Sequence, residues 1–212
     1  MDYKYSKGSE WRKWDLHVHT PYSIEQHYGP SADDEVWEKY ITDLENLPED
    51  FKVLGINDYM FIDGYERLLS EKTNNGRLSN IDLLLPVVEF RVSMFAGVNF
   101  GQFKRINLHV IFSDDLSPAV IKSQFLNTLQ QSYKLAPGTE GATWSGVVTM
   151  DSLVDLGASI KSNVPPEQLV NYGSDLLEGF RNLNLDEDAL IGKLEGNSFL
   201  KGKYYMEIDS LK

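Results

Sequence analysis

With 212 residues, 42 % hydrophobic and 25 % charged, the chain has the composition of an ordinary soluble globular protein with material for one sizeable core. It has no apolar run of about 18 residues that would span a bilayer and no secretory leader in MDYKYSKGSEWRKW, so the cytoplasm is the expected location. The absence of cysteine excludes disulfides, thiolate nucleophiles and Cys-based metal sites, and a net charge of −12 argues against broad electrostatic attachment to duplex DNA, although bound cations would still admit a nucleotide or nucleic-acid substrate.

No repeat, low-complexity tract or Pro/Gly-rich linker divides the sequence, so one domain over 1–212 is expected. Four short apolar runs, at 14–19, 52–57, 83–89 and 106–112, have the character of strands covered on both faces. Between the first two, Val36, Trp37, Tyr40, Ile41, Leu44 and Leu47 recur at helical steps over 33–47, with Ser31 as the expected N-terminal cap. A shorter helix begins near Tyr65 and ends before Asn74-Asn75-Gly76. In the second half the pattern predicts helices over 118–133, 150–160, 166–180 and 186–195, and one last strand over 203–208. Strands alternating with helices indicate an α/β protein with a largely parallel sheet, part of a barrel, and a mainly helical second half.

The chemistry-bearing residues fall at the strand ends. His17 and His19 in Asp15-Leu16-His17-Val18-His19-Thr20 alternate along a strand and project to one side, as a pair able to hold one divalent cation. The spacing by itself is a weak signal, being more often that of polar residues at a strand end. Each later strand supplies a further candidate: Asp58 after Val53-Leu54-Gly55-Ile56-Asn57, Glu89 after Leu85-Pro86-Val87-Val88, and His109 within Ile106-Asn107-Leu108-His109-Val110. Carboxyl ends of parallel strands are where α/β sheets build their sites. A set of imidazoles and carboxylates there suits up to two Zn, Mn or Fe ions.

The segment DLHVHTPYS at 15–23 resembles the first motif of the PHP (polymerase and histidinol phosphatase) family of metal-dependent phosphoesterases. WRKWDLHVHTPYS, LGINDYMFIDGY, LLLPVVEFR and INLHVIFSDD together resemble most closely the N-terminal PHP domain of TrlF-type proteins, where it precedes an AAA- or SMC-like ATPase. The resemblance is strong from Gly8 to about Phe112 and continues by general pattern through the helical half. It implies a distorted (β/α)7 barrel that hydrolyses phosphate esters of nucleotides or nucleic acids, with His17, His19, Glu89 and His109 as metal ligands. Asp58 then ligates or orients a ligand histidine, and Arg91, two residues past Glu89, binds the substrate phosphate or forms a structural ion pair.

Three departures bear on activity. Asp58 is followed by Tyr59 where the family has a histidine, Ser23 by Ile24 and Glu25 where it has Asp-Gly, and nothing after His109 matches the family's late histidine and Asp-x-His. Those departures fit an incomplete barrel, an N-terminal part of a longer protein. Two functions follow: a phosphoesterase or nuclease domain, or a degenerate PHP module serving as a structural or regulatory partner of an ATPase. A homodimer is a further expectation. There is no GxxxxGK[ST], so no ATPase lies in this chain, and no GxSxG or dinucleotide fingerprint. Tyr22 and Tyr59 line the pocket or pack; Trp11-Arg12-Lys13-Trp14 is core at a strand start or a base-stacking cluster; His27, in a polar loop, is solvated or a ligand.

Overall fold

The computed structural model describes residues 11–25, 28–29, 31–97, 104–135 and 143–209, and the loop position His27 lies outside them. The chain divides into two compact units, one drawn from Met1–Asp58 and Ile62–Val87, the other from Tyr59–Phe61 and Val88–Lys212. Among the described residues no helix is long and apolar enough to cross a membrane.

The first unit is a βαβαβ run. Strands β1 (Lys13–Val18), β2 (Phe51–Asn57) and the opening of β3 (Leu83–Ala96) are joined through helices α1 (Asp34–Glu45) and α2 (Asp63–Asn74). β2 pairs in parallel with β1 on one side and β3 on the other, with Val18 opposite Ile56 and Asn57 opposite Val87. β2 is buried almost throughout, as its unbroken apolar run requires. At Gly55 an added Cβ would stand 2.7 Å from the Leu16 backbone, so β1 and β2 approach as closely as they do only because that residue is glycine.

Helix α1 buries Trp37, Tyr40, Ile41 and Leu44, the face its periodicity predicts. Its cap differs from expectation. Asp33, not Ser31, accepts the Val36 amide at 3.0 Å, and the Ser31 hydroxyl donates to the other Asp33 oxygen. A carboxylate directly before the first turn both accepts the orphan amide and meets the positive end of the helix dipole, which a hydroxyl two residues earlier cannot do.

The second unit holds the rest of β3, then β4 (Lys104–Phe112), α3 (Pro118–Gln124), β5 (Gln130–Lys134), β6 (Thr143–Val147), α4 (Met150–Lys161), α5 (Asp175–Asn182), α6 (Glu187–Glu195) and β7 (Tyr204–Asp209). β4 is hydrogen-bonded to β3 on one side and, antiparallel, to β7 on the other. The sheet is therefore mixed, parallel through β1, β2 and the opening of β3 as expected and antiparallel where β7 joins β4. β1 bonds only β2 and β7 only β4, so the described strands do not close a barrel.

Two predicted helices are shorter than their periodicity suggests. The series through Ile121 and Phe125 stops at Gln124, turns once in 3-10 form over Leu126–Thr128, and continues as β5 paired with β6. Phe125 is drawn into an aromatic cluster with Phe90 and Phe112, at 5.8 and 5.7 Å, and Leu126 and Leu129 are buried from the turn, so the apolar spacing is satisfied without a helix. Likewise 166–180 is a 3-10 segment, Pro166–Asn171, followed by α5. Ser174 accepts the Leu177 amide and starts the helix afresh.

Candidate metal centre

In the first unit, the end of β1 brings the two imidazoles together. Nε2 of His17 and Nε2 of His19 lie 3.0 Å apart. Two nitrogens bound to one tetrahedral ion at about 2.0–2.1 Å stand about 3.3 Å apart, so the rings already have nearly the separation of ligands on a common cation. The other nitrogen of His19, Nδ1, is 3.2 Å from Ser23 Oγ, and the His19 carbonyl accepts from the Tyr28 hydroxyl at 2.8 Å. An Nδ1–H held by Ser23 leaves the Nε2 lone pair for a metal, as partners behind metal-binding histidines commonly do.

The loop that carries Ser23 is tied down by Asp58. The carboxylate is buried, 3 % exposed, and accepts from the Thr20 amide at 2.9 Å and the Thr20 hydroxyl at 2.7 Å. Burial pushes its pKa up from 3.8 to about 6, against the pull of the Thr20 hydrogen bonds. Gly64, beside it, could take no side chain: a Cβ would come within 1.9 Å of Asp58 Oδ2 and 2.2 Å of Thr20 Oγ1. The geometry makes Asp58 a positioning residue for the turn directly after His19. Arg67 shields the same turn, donating to the Tyr22 hydroxyl at 3.2 Å and lying 4.5 Å over the Trp37 ring.

In the second unit a carboxylate and an imidazole meet in the core. Glu89 is 2 % and His109 6 % exposed, with Oε2 and Nε2 3.5 Å apart, and the Asn107 amide donates to the other Glu89 oxygen. The Glu89 amide donates to the Tyr59 carbonyl at 2.9 Å. Tyr59 adopts φ 62 and packs its buried ring 4.8 Å from Phe180. A left-handed tyrosine is costly and is held here by that packing. Arg91 lies 5.4 Å over the Phe180 ring.

No family model, curated protein or solved structure matches the chain.

The predicted residues thus form two groups: His17, His19 and Asp58 in one unit, Glu89, Arg91 and His109 in the other. Tyr59 packs, while Tyr22 remains 38 % exposed with its ring edge-on to Trp37. Trp11 and Trp14 are 98 % and 60 % exposed, against the core role usual for aromatics entering a strand; β1 is an edge, so nothing covers them among the described residues. Thr20, Ser23 and Asn107 went unpredicted. The first two sit inside the His-x-His-Thr-x-x-Ser stretch, and Asn107 is two residues before His109, so strand alternation would have found it.

Proposed function

We propose that the chain is a metal-dependent phosphoesterase domain of the PHP type, cytoplasmic, built on an incomplete (β/α)7 barrel and acting on phosphate esters of nucleotides or nucleic acids. His17 and His19 hold a divalent cation, and the family resemblance adds Glu89 and His109 as ligands. The observation that carries the reading is the pair of Nε2 atoms 3.0 Å apart with His19 Nδ1 on Ser23. The parallel register supports it: β1, β2 and β3 run the same way, and His17, His19, Asp58 and Glu89 all fall at or just past the carboxyl ends of their parallel runs.

An all-nitrogen-and-oxygen donor set of this kind suits Zn, Mn or Fe. The cation, when bound, supplies Lewis-acid polarisation of a phosphoryl oxygen, so no protein nucleophile is required. The chain's own part is orientation. Ser23 orients the His19 ring through Nδ1, Asp58 fixes the turn through Thr20, Asn107 fixes the Glu89 carboxylate, and Arg91 offers a planar fork to the phosphate. The sequence motifs resemble the domain that precedes an ATPase in TrlF-type proteins, which makes such an ATPase the proposed partner.

Metal content of protein purified without chelator tests the reading. Near-stoichiometric Zn, Mn or Fe, lost in the His17→Ala/His19→Ala double variant, is expected; an equal content in both proteins would remove the site. One observation favours a second reading, a degenerate module that serves a partner ATPase. Tyr59 stands where the family places a histidine and spends its side chain on Phe180, so one imidazole fewer is available. Metal uptake without hydrolysis of p-nitrophenyl phosphate or bis-p-nitrophenyl phosphate would select that reading.

A further inference from the structure

The polar face of β3 and β4 continues beyond Glu89 and His109. Side chains alternate along a strand, so Arg91 shares the face of Glu89, and Arg105 shares the face of Asn107 and His109. The strands are hydrogen-bonded neighbours, and the connection 97–103 is too short for the crossover a parallel pair would need, so they run antiparallel. Asn107 and His109 both reach Glu89, and the next outward positions on that face are Arg91 on one strand and Arg105 on the other.

Both guanidiniums also lie against the end of α5. Arg91 stacks on Phe180, and Arg105 donates to the carbonyls of Arg181 and Leu183, each at 3.3 Å. Burial lowers the pKa of Arg105 and the neighbouring Arg91 charge lowers it further. Among the described residues Arg105 pairs with no carboxylate, in a chain whose 32 acidic side chains outnumber 20 basic ones. An anion bound at Arg105 would offset the repulsion that the neighbouring Arg91 charge exerts on it. The planar guanidinium fork matches phosphate oxygens, two to a fork.

We infer that Arg91 and Arg105 form a phosphate-binding subsite next to Glu89 and His109, one that selects a dianionic terminal phosphate over an internal diester. The inference rests on the phosphoesterase reading and narrows its substrate to phosphomonoesters. The charges match: two guanidiniums meet a group that carries about −1.5 to −2 at neutral pH, whereas a diester carries one charge.

Isothermal titration of the full chain with inorganic phosphate tests it, with metal content measured on the same samples. Saturable binding to the wild type is expected, weakened about tenfold or more in Arg91→Gln and in Arg105→Gln with metal content unchanged, and dimethyl phosphate should bind at least about tenfold more weakly than phosphate. Arg105→Lys keeps the charge and a donor for the α5 carbonyls. It should melt close to the wild type and still lose phosphate affinity several-fold, because the fork is gone. Unchanged phosphate affinity in folded Arg105→Lys and Arg91→Gln would overturn the subsite and leave Arg105 as a cap on α5. Equal binding of dimethyl phosphate would overturn the monoester selection. Arginine-dependent phosphate binding in a wild type that takes up no metal would instead fail the metal reading while upholding the subsite.

Discussion

The imidazole pair of the first unit and the carboxylate–imidazole pair of the second are built in opposite ways. His17 is exposed and His19 half-buried at the end of an edge strand, and His19 makes short local bonds, its ring to Ser23 and its carbonyl to Tyr28. Glu89 and His109 lie inside the core, on neighbouring strands, with Asn107 fixing the carboxylate. The first arrangement should be lost with little consequence for folding, whereas in the second the proposed ligand atoms are also core atoms. A buried polar group must be satisfied whatever its function, and an exposed one need not be.

Asp58 sharpens the comparison most, because it is a buried charge in the otherwise exposed region. Its folded pKa of about 6 lies above the ordinary 3.8, so the folded chain holds the proton more tightly than the unfolded one. The sign follows: this group's contribution is fully present below about pH 4 and is lost as the pH rises through the window to about 6. The difference of roughly two units corresponds to about 3 kcal/mol at most. Asp58→Asn does not titrate, so its stability relative to wild type, from urea unfolding in EDTA, should climb by up to that amount between pH 4 and 6.5. A flat difference would show that Asp58 is solvated and that the first unit holds no buried charge. Asp33, Glu45 and Asp50 are shifted downward and act with the opposite sign, but they are common to both proteins and cancel.

Glu89→Ala should cost about 2–3 kcal/mol in the metal-free protein, since it leaves the Asn107 amide and the buried His109 ring without that carboxylate. Urea unfolding in chelator reads this directly. A loss under about 0.5 kcal/mol would mean that solvent reaches the pair, and the contrast between the two regions would collapse.

Much of this was legible in the sequence, for physical reasons that differ by residue. The parallel strands β2 and the opening of β3 follow from nearly unbroken apolar runs, β1 from a shorter one interrupted by Asp15 and His17, and α1 and α4 from a helical period sustained over three turns, all local signals. The site candidates followed from one rule, that ligands collect at strand ends, which needs no knowledge of packing. What failed depended on distant partners. β5 and β6 are short polar strands that exist because they pair with each other, and 118–133 carries a helical period that the Phe90–Phe125–Phe112 cluster satisfies in one turn. The Asp33 cap was missed by choosing a hydroxyl over a nearer carboxylate. Tyr59 is readable as a substitution, but its left-handed backbone and its place on Phe180 are not.

The smallest expected stability effect is the most informative. In chelator, the His17→Ala/His19→Ala variant should unfold within about 0.5 kcal/mol of the wild type, because truncating an exposed and a half-buried side chain at a strand edge opens no enclosed cavity. With metal present the two proteins should separate. A ligand that binds only the folded state stabilises it by about 2.7 kcal/mol at a hundred times its dissociation constant, and the variant forgoes that gain. Melting curves of both proteins, with and without Zn or Mn, therefore report binding as a double difference in which the fold cancels. If the variant is already destabilised by more than about 1 kcal/mol in chelator, the imidazoles hold the turn through Ser23 and Tyr28 rather than waiting for a cation, and both regions are structural. If wild type and variant respond alike to metal, the cation binds elsewhere. Only a metal-dependent gain confined to the wild type assigns the paired Nε2 atoms to an ion.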